Sequence, residues 1–171
     1  FHCEYCQEGN PNLCAHMAFA GHAPKDGAMS EYIAWPDHCL FTLPPGLSDA
    51  EGAMLEPLGV GMYSVDLTNL GPGMSVGVFG CGPIGLSIIQ MARAAGATRI
   101  YATDLPSLPH RLEAARAAGA IPVPVNDGKE ALEIRRATGR GVDVAFDASG
   151  DPGAVEAAIT AAKPGGQAIL V

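Results

Sequence analysis

Basic residues are scarce where this chain begins. Residues 1–70 carry nine Asp and Glu against a single cation, Lys25, whereas residues 71–171 balance nine acids with nine Lys and Arg, so the whole chain has a net charge of −8. Binding to nucleic acid needs a basic face that displaces counterions from phosphates, and neither half offers one. Long hydrophobic runs are lacking too: no stretch approaches the ~20 apolar residues of a membrane helix. The first residues do not have the pattern of a secretory leader, and a cytoplasmic protein is expected. Aromatic residues make up only 6%, while glycine is abundant at 22 positions and alanine recurs periodically, a composition suited to close helix–sheet packing and tight turns. With 48% hydrophobic residues the chain is not disordered, and its 171 residues suit one globular domain or one domain plus part of another. Five cysteines, an odd number without a leader, point to a reducing compartment in which clustered cysteines act as metal ligands before they act as disulfides.

No solenoid repeat or low-complexity tract interrupts the chain. Residues 1–27 are loop-like and rich in Cys, Gly and Pro; "MSEYIAW" (29–35) and "CLFTLP" (39–44) predict two short strands around Pro36, as in a small β-rich lobe. The segment from Ser48 turns helical, with Ser48 as N-cap and Glu51 three residues on, a capping box. Gly71-Pro72-Gly73 ends it and marks the expected domain boundary, dividing residues 1–70 from 71–171. Strands at 75–80, 99–104, 121–125, 142–147 and 167–171 then alternate with helices near 83–95, 110–119, 128–138 and 152–162. The third strand, "IPVPV", is weakened by its prolines and belongs near a sheet edge. Uniformly apolar strands alternating with helices predict an α/β fold, a parallel sheet covered on both faces.

The first of these strands runs into Gly80-Cys81-Gly82-Pro83-Ile84-Gly85, a G-x-G-x-x-G between strand and helix. In that context the glycines take distinct roles: Gly80 makes the turn, Gly82 admits a pyrophosphate, and Gly85 brings helix against strand. The helix start offers free N–H groups and partial positive charge to phosphates, and Pro83 sits where a missing N–H costs little. Asp104, nineteen residues after Gly85, is placed to accept both ribose hydroxyls and to repel a 2′-phosphate, favouring NAD over NADP; Arg111, seven residues further, is within reach of ribose or phosphate. A turn-capping role for Asp104 is the alternative.

Cys3, Cys6 and Cys14 form C-x2-C-x7-C in one loop. Closed structural zinc sites take four ligands, and a further cysteine just before Phe1 would complete C-x2-C-x2-C-x7-C; uncoordinated thiols are the alternative. Cys39 and Cys81 fit as small core or loop residues. The completed pattern followed by a dinucleotide loop resembles the zinc-dependent medium-chain alcohol dehydrogenases. Within them, "HMAFAGHAPKDGAMSEY", "LPPGLSDAEGAMLEPLGVG" and "GCGPIGL" look like blocks of the sorbitol (L-iditol 2-) or polyol dehydrogenases; threonine dehydrogenases share the frame with less similarity.

The resemblance implies a partial GroES-like catalytic domain with a structural-zinc lobe, then a Rossmann-type domain with five of six strands, both ends of the enzyme lying outside the chain. It implies hydride transfer from a polyol or secondary alcohol to NAD beside a second, catalytic zinc whose Cys and His-Glu ligands lie upstream. It assigns Glu56 in "MLEPLG" to that zinc, directly or through water, and Phe19 and His22 to the substrate pocket. A homo-oligomer, most often a tetramer, is implied as well. Read from its surroundings alone, Glu56 is an acid in an apolar helical stretch, costly to bury without a partner, or else a carboxylate stabilised by the helix dipole. A non-catalytic dinucleotide-binding module with a zinc lobe for protein contacts is the competing class.

Overall fold

A computed structural model describes residues 2–171, divided into two compact units between Pro45 and Gly46. The first contains helix α1 (Glu4–Gln7) and two single 3-10 turns, Pro11–Leu13 and Asp37–Cys39, joined by irregular chain. The strands expected at 29–35 and 39–44 do not form. A strand persists only when its N–H and C=O groups pair with a neighbour. Here the chain after Pro36 instead closes a helical-sense turn, in which the Cys39 N–H donates to the Pro36 carbonyl at 3.0 Å. Tyr32 and Phe41, which would have covered a core, are 91% and 88% exposed.

In the second unit, α2 (Asp49–Ala53) begins with the capping box read from the sequence. The Glu51 N–H donates to Ser48 Oγ at 3.3 Å, and the Ser48 N–H donates to Glu51 Oε2 at 2.8 Å. The Ser48 hydroxyl also donates to Glu51 Oε2 at 2.7 Å, and that bond first, with the one from the Ser48 N–H second, lowers the Glu51 carboxyl from its usual range. Helix α3 (Leu55–Asp66) follows, and it belongs to this compact unit, on the sheet's side of the Pro45/Gly46 division. The reason is contact: a Cβ at Gly61 would come within 2.8 Å of the Ser87 backbone, so α3 lies directly against α4 (Pro83–Ala94).

The sheet has the order β3-β2-β1-β4-β5, every pair parallel: β1 (Ser75–Phe79), β2 (Arg99–Thr103), β3 (Ile121–Pro122), β4 (Val142–Asp147) and β5 (Ala162–Leu170). Alternation along β1 sends Val76 and Val78 into one cluster, with Ile88, Ile100 and Phe146, and Phe79 into the other, with Tyr101, Ile134 and Ala158. Helices α4 and α5 (Pro109–Ala117) therefore cover one face, and α6 (Lys129–Thr138) and α7 (Pro152–Ala161) the other. Each fully buried Val, Ile or Phe contributes roughly 1.5–3 kcal/mol. As its prolines predict, β3 is an edge strand, reduced to two residues. Strand β5 starts five residues earlier than expected, because Lys163-Pro164-Gly165-Gly166 stays against β4 through a register shift between Val142 and Val144. At the starts of the strands, Asp143 joins β1, β4 and β5. Its Oδ2 accepts the Ser75 N–H at 2.7 Å and the Ser75 hydroxyl at 2.8 Å, and its Oδ1 pairs with Lys163 Nζ.

Candidate dinucleotide cleft and cysteine site

Strand order reverses direction between β1 and β4, and in such sheets a crevice opens at the carboxyl ends of the strands on either side of the reversal. The G-x-G-x-x-G loop lies there. Its backbone is tied to both neighbours: the Gly80 N–H donates to the Thr103 carbonyl at the end of β2, and the Ala148 N–H after β4 donates to the Phe79 carbonyl. Gly80 adopts φ +102°, and a Cβ on it would meet the Ala148 backbone at 2.9 Å. A Cβ at Gly85 would approach the Gly80 carbonyl oxygen to 1.8 Å, an impossible contact that fixes how closely α4 starts against β1. Gly82 differs from both. Nothing lies within 4 Å of its missing Cβ, and it faces open space in the crevice. No side chain caps α4, so its first-turn N–H groups stay available to a ligand. By contrast α7 is capped by Asp151, whose Oδ1 accepts the Gly153 and Ala154 N–H groups.

Asp104 follows β2 and is 7% exposed. Its Oδ2 accepts the Cys81 N–H at 2.8 Å and its Oδ1 accepts the Leu105 N–H at 2.7 Å. A carboxylate has about four acceptor positions, so lone pairs remain for two hydroxyls. The turn-capping and ligand readings thus coexist in one side chain. Arg111 on α5 stays 3.7 Å from Asp104 Oδ2, an ion pair beyond hydrogen-bond length, and its side chain is 43% exposed. Cys81 is fully buried; desolvation first and the Asp104 charge second push its thiol up to about 12, which makes it a core residue as expected.

Gly82, Asp104 and Arg111 line a single cavity of about 700 Å³. Its other charged residues are Asp127, Glu130, Asp151 and Glu156, so five carboxylates face one guanidinium. A third buried acid beside Asp104 and Glu130, Asp147 at the end of β4, accepts the Ser149 hydroxyl at 2.7 Å and its N–H at 3.2 Å. The sequence did not single out Glu130 or Asp147. The signal available was only an acid in the first turn after a weak strand, and an acid ending an apolar strand.

In the first unit, the sulfurs of Cys3, Cys6 and Cys14 lie within 4.8 Å of one another, with Cys3 and Cys6 at 3.5 Å. Tetrahedral zinc with Zn–S near 2.3 Å requires sulfurs about 3.8 Å apart, so the three thiols fit such an ion. The nearby Cys6 N–H lowers the Cys3 thiol, while desolvation raises that of Cys6. Phe19 and His22 share a turn in which the His22 N–H donates to the Phe19 carbonyl; both side chains are exposed, and His22 Nδ1 lies 3.3 Å from the Ala23 carbonyl. Glu56 lies in the first turn of α3 and is exposed, without a hydrogen bond or ion pair among the described residues. The burial cost inferred from its apolar neighbours is therefore not incurred here, since the surrounding Met54 and Leu55 are themselves about half exposed.

Residues 83–171 match the zinc-binding dehydrogenase family, and residues 1–45 match the alcohol dehydrogenase GroES-like domain. The chain belongs to the zinc-binding dehydrogenase family. It is 40% identical over 171 residues to sorbitol dehydrogenase of Bacillus subtilis (strain 168), covering 99% of this chain and 48% of that relative. Among solved structures of the family, 2R,3R-butanediol dehydrogenase from Bacillus subtilis is 42% identical with a TM-score of 0.83, covering 94% of this chain and 46% of that one. A short chain alcohol dehydrogenase from Escherichia coli CFT073 in complex with NADH has a TM-score of 0.86 at 28% identity, covering 99% and 50%. The chain spans about half the length of the curated relatives it matches. No helix among the described residues is long and apolar enough to cross a membrane.

Proposed function

We propose that this chain serves a zinc-containing dehydrogenase that moves hydride from a polyol or secondary alcohol to NAD. The observation that carries the reading is the convergence of Gly82's bare backbone and the Asp104 carboxylate on one cavity beside the uncapped start of α4. In this reading the first-turn N–H groups of α4 hold the pyrophosphate and Asp104 accepts the adenosine ribose hydroxyls. The five carboxylates of the cavity disfavour a 2′-phosphate, which makes NAD the preferred cofactor. The sorbitol and butanediol named for the Bacillus relatives support that substrate class, and NADH in one solved neighbour with NADP in another supports a nicotinamide dinucleotide.

Cys3, Cys6 and Cys14 fit a structural zinc that fastens their loop, and Glu56, Phe19 and His22 are proposed for the catalytic-zinc and substrate side of the reaction. The catalytic zinc supplies Lewis acidity, lowering the pKa of the substrate hydroxyl. Glu56 is exposed and unpaired, free to accept a hydrogen bond at that site. Homo-oligomerisation, as a tetramer, belongs to the same proposal.

The test is alcohol-dependent reduction of NAD by the full-length protein carrying these residues, with sorbitol, xylitol and 2,3-butanediol as substrates. Turnover that disappears on chelation and returns with zinc is the expected result. Tight NAD binding with no turnover of any alcohol favours the binding-module alternative. Residues 1–171 alone are expected to turn over none of these alcohols, because Glu56 is the sole ligand of the implied catalytic set within them.

A further inference from the structure

One acid in the cleft has so far counted only as one of five negative charges. Glu130, on the first turn of α6, is 4% exposed and lines the cavity that holds Asp104. Its Oε2 accepts the Asn126 N–H at 2.9 Å, which anchors the side chain against the loop after β3. Oε1 has no hydrogen-bond partner among the described residues. No fully enclosed side-chain oxygen is left unpartnered among the described residues, so Oε1 reaches open space, and the cavity Glu130 lines supplies it. A carboxylate with one oxygen held by the backbone and the other open to the cavity is a fixed acceptor that a bound ligand's donor can meet in place of water.

The lining says which donor. Asp104 follows β2, and Leu105, Val125, Ala154 and Ala157 line the same cavity. Those apolar side chains suit the flat faces of a purine, and Glu130 adds a carboxylate to the same lining.

We propose that Glu130 reads the purine of the dinucleotide: Oε1 accepts a hydrogen bond from the 6-amino group of adenine and so selects an aminopurine over a 6-oxopurine. The inference rests on the dinucleotide reading of the cleft and adds base selection to it. A carboxylate is acceptor-only, so a 6-oxo group opposite it places two acceptors face to face. The N–H that a 6-oxopurine does offer lies one ring atom away, and the bond from Asn126 keeps Glu130 from following it.

The experiment compares NAD with nicotinamide hypoxanthine dinucleotide by calorimetric titration of the full-length protein, parent and Glu130→Gln. The parent is expected to bind the hypoxanthine form about tenfold or more weakly, the scale of a lost hydrogen bond to a charged group. In Glu130→Gln one amide oxygen still accepts the Asn126 N–H and the amide nitrogen donates to a 6-oxo group, so the ratio should collapse to within about threefold. The parent ratio decides even if the variant folds poorly. Equal affinities in the parent overturn the base-reading role while leaving the dinucleotide reading intact. A preference that survives unchanged in folded Glu130→Gln assigns it to another group and overturns the role as well. Failure of the parent to bind either dinucleotide overturns both readings.

Discussion

Between His2 and Pro45 no residue is buried, whereas the unit from Gly46 to Val171 buries two apolar clusters, one on each face of its sheet. The first unit compensates with chemistry: three thiols gathered within 4.8 Å, in a unit whose apolar side chains, such as Met29, Tyr32 and Phe41, lie exposed. The second relies on shape, with Gly61, Gly80 and Gly85 each closer to neighbouring backbone than any side chain permits. The difference teaches where each unit is vulnerable. A lobe without a core depends on ligation, and a packed sheet depends on single methyl groups.

The largest effect expected from breaking that contrast is loss of the metal. Zinc contributes about 10–16 kcal/mol of folding free energy in small zinc modules. Chelation, or Cys6→Ser, should therefore open residues 1–45 to limited proteolysis while residues 46–171 stay resistant. Equal protection of both units with and without zinc would show that the lobe holds by other contacts. Next in size is Gly85→Ala. With its Cβ 1.8 Å from the Gly80 carbonyl oxygen, α4 must shift as a body. A loss of about 3 kcal/mol, the upper end of ordinary overpacking, is expected in urea unfolding, together with loss of NADH binding. An unchanged midpoint would mean that the loop yields more readily than its geometry suggests.

The smallest effect sharpens the comparison through pH. Lys163, followed by the Ser75 bonds, holds the Asp143 carboxyl well below the usual carboxylate range against the opposing effect of desolvation. A carboxyl whose folded pKa is depressed stabilises the fold above its unfolded value, near 3.9, and loses that contribution as pH falls from there toward the folded value. Asp143→Asn should cost about 1–2 kcal/mol at pH 7, the scale of hydrogen bonds to a charged group. Thermal melts of parent and variant should begin to converge only as pH falls below about 4. A gap that persists unchanged at low pH would assign the role of Asp143 to packing.

The same contrast explains what the sequence made legible. Ser48 with Glu51, the buried run of β1, the placement of the proline-weakened β3 at an edge and the glycine loop all rest on local rules, and each appears where those rules put it. The strands at 29–35 and 39–44 were not legible because a strand is a property of a pair, and no partner for either is present among the described residues. The early start of β5 was hidden by Lys163-Pro164-Gly165-Gly166, which has turn chemistry but hugs β4 closely enough that a Cβ at Gly166 would lie 2.9 Å from the Asp143 carbonyl oxygen. Of the two readings of Glu56, the burial cost does not arise, because apolar sequence neighbours do not amount to enclosure, and its place in the first turn of α3 is the one the helix-dipole reading describes. Glu130 was invisible for the opposite reason: an acid at a helix start looks solvated until the loop before it folds over.

The bond from the Cys81 N–H to Asp104 has a consequence for anyone redesigning the cofactor preference. The side chain proposed to grip the ribose is also the fastener of the phosphate loop. Exchanging Asp104 for a small or basic residue to welcome a 2′-phosphate removes the acceptor on which that loop is hung and leaves a buried amide without a partner. A useful switch therefore has to be made as a pair of changes, one to clear the negative charge and one to return an uncharged acceptor to Cys81.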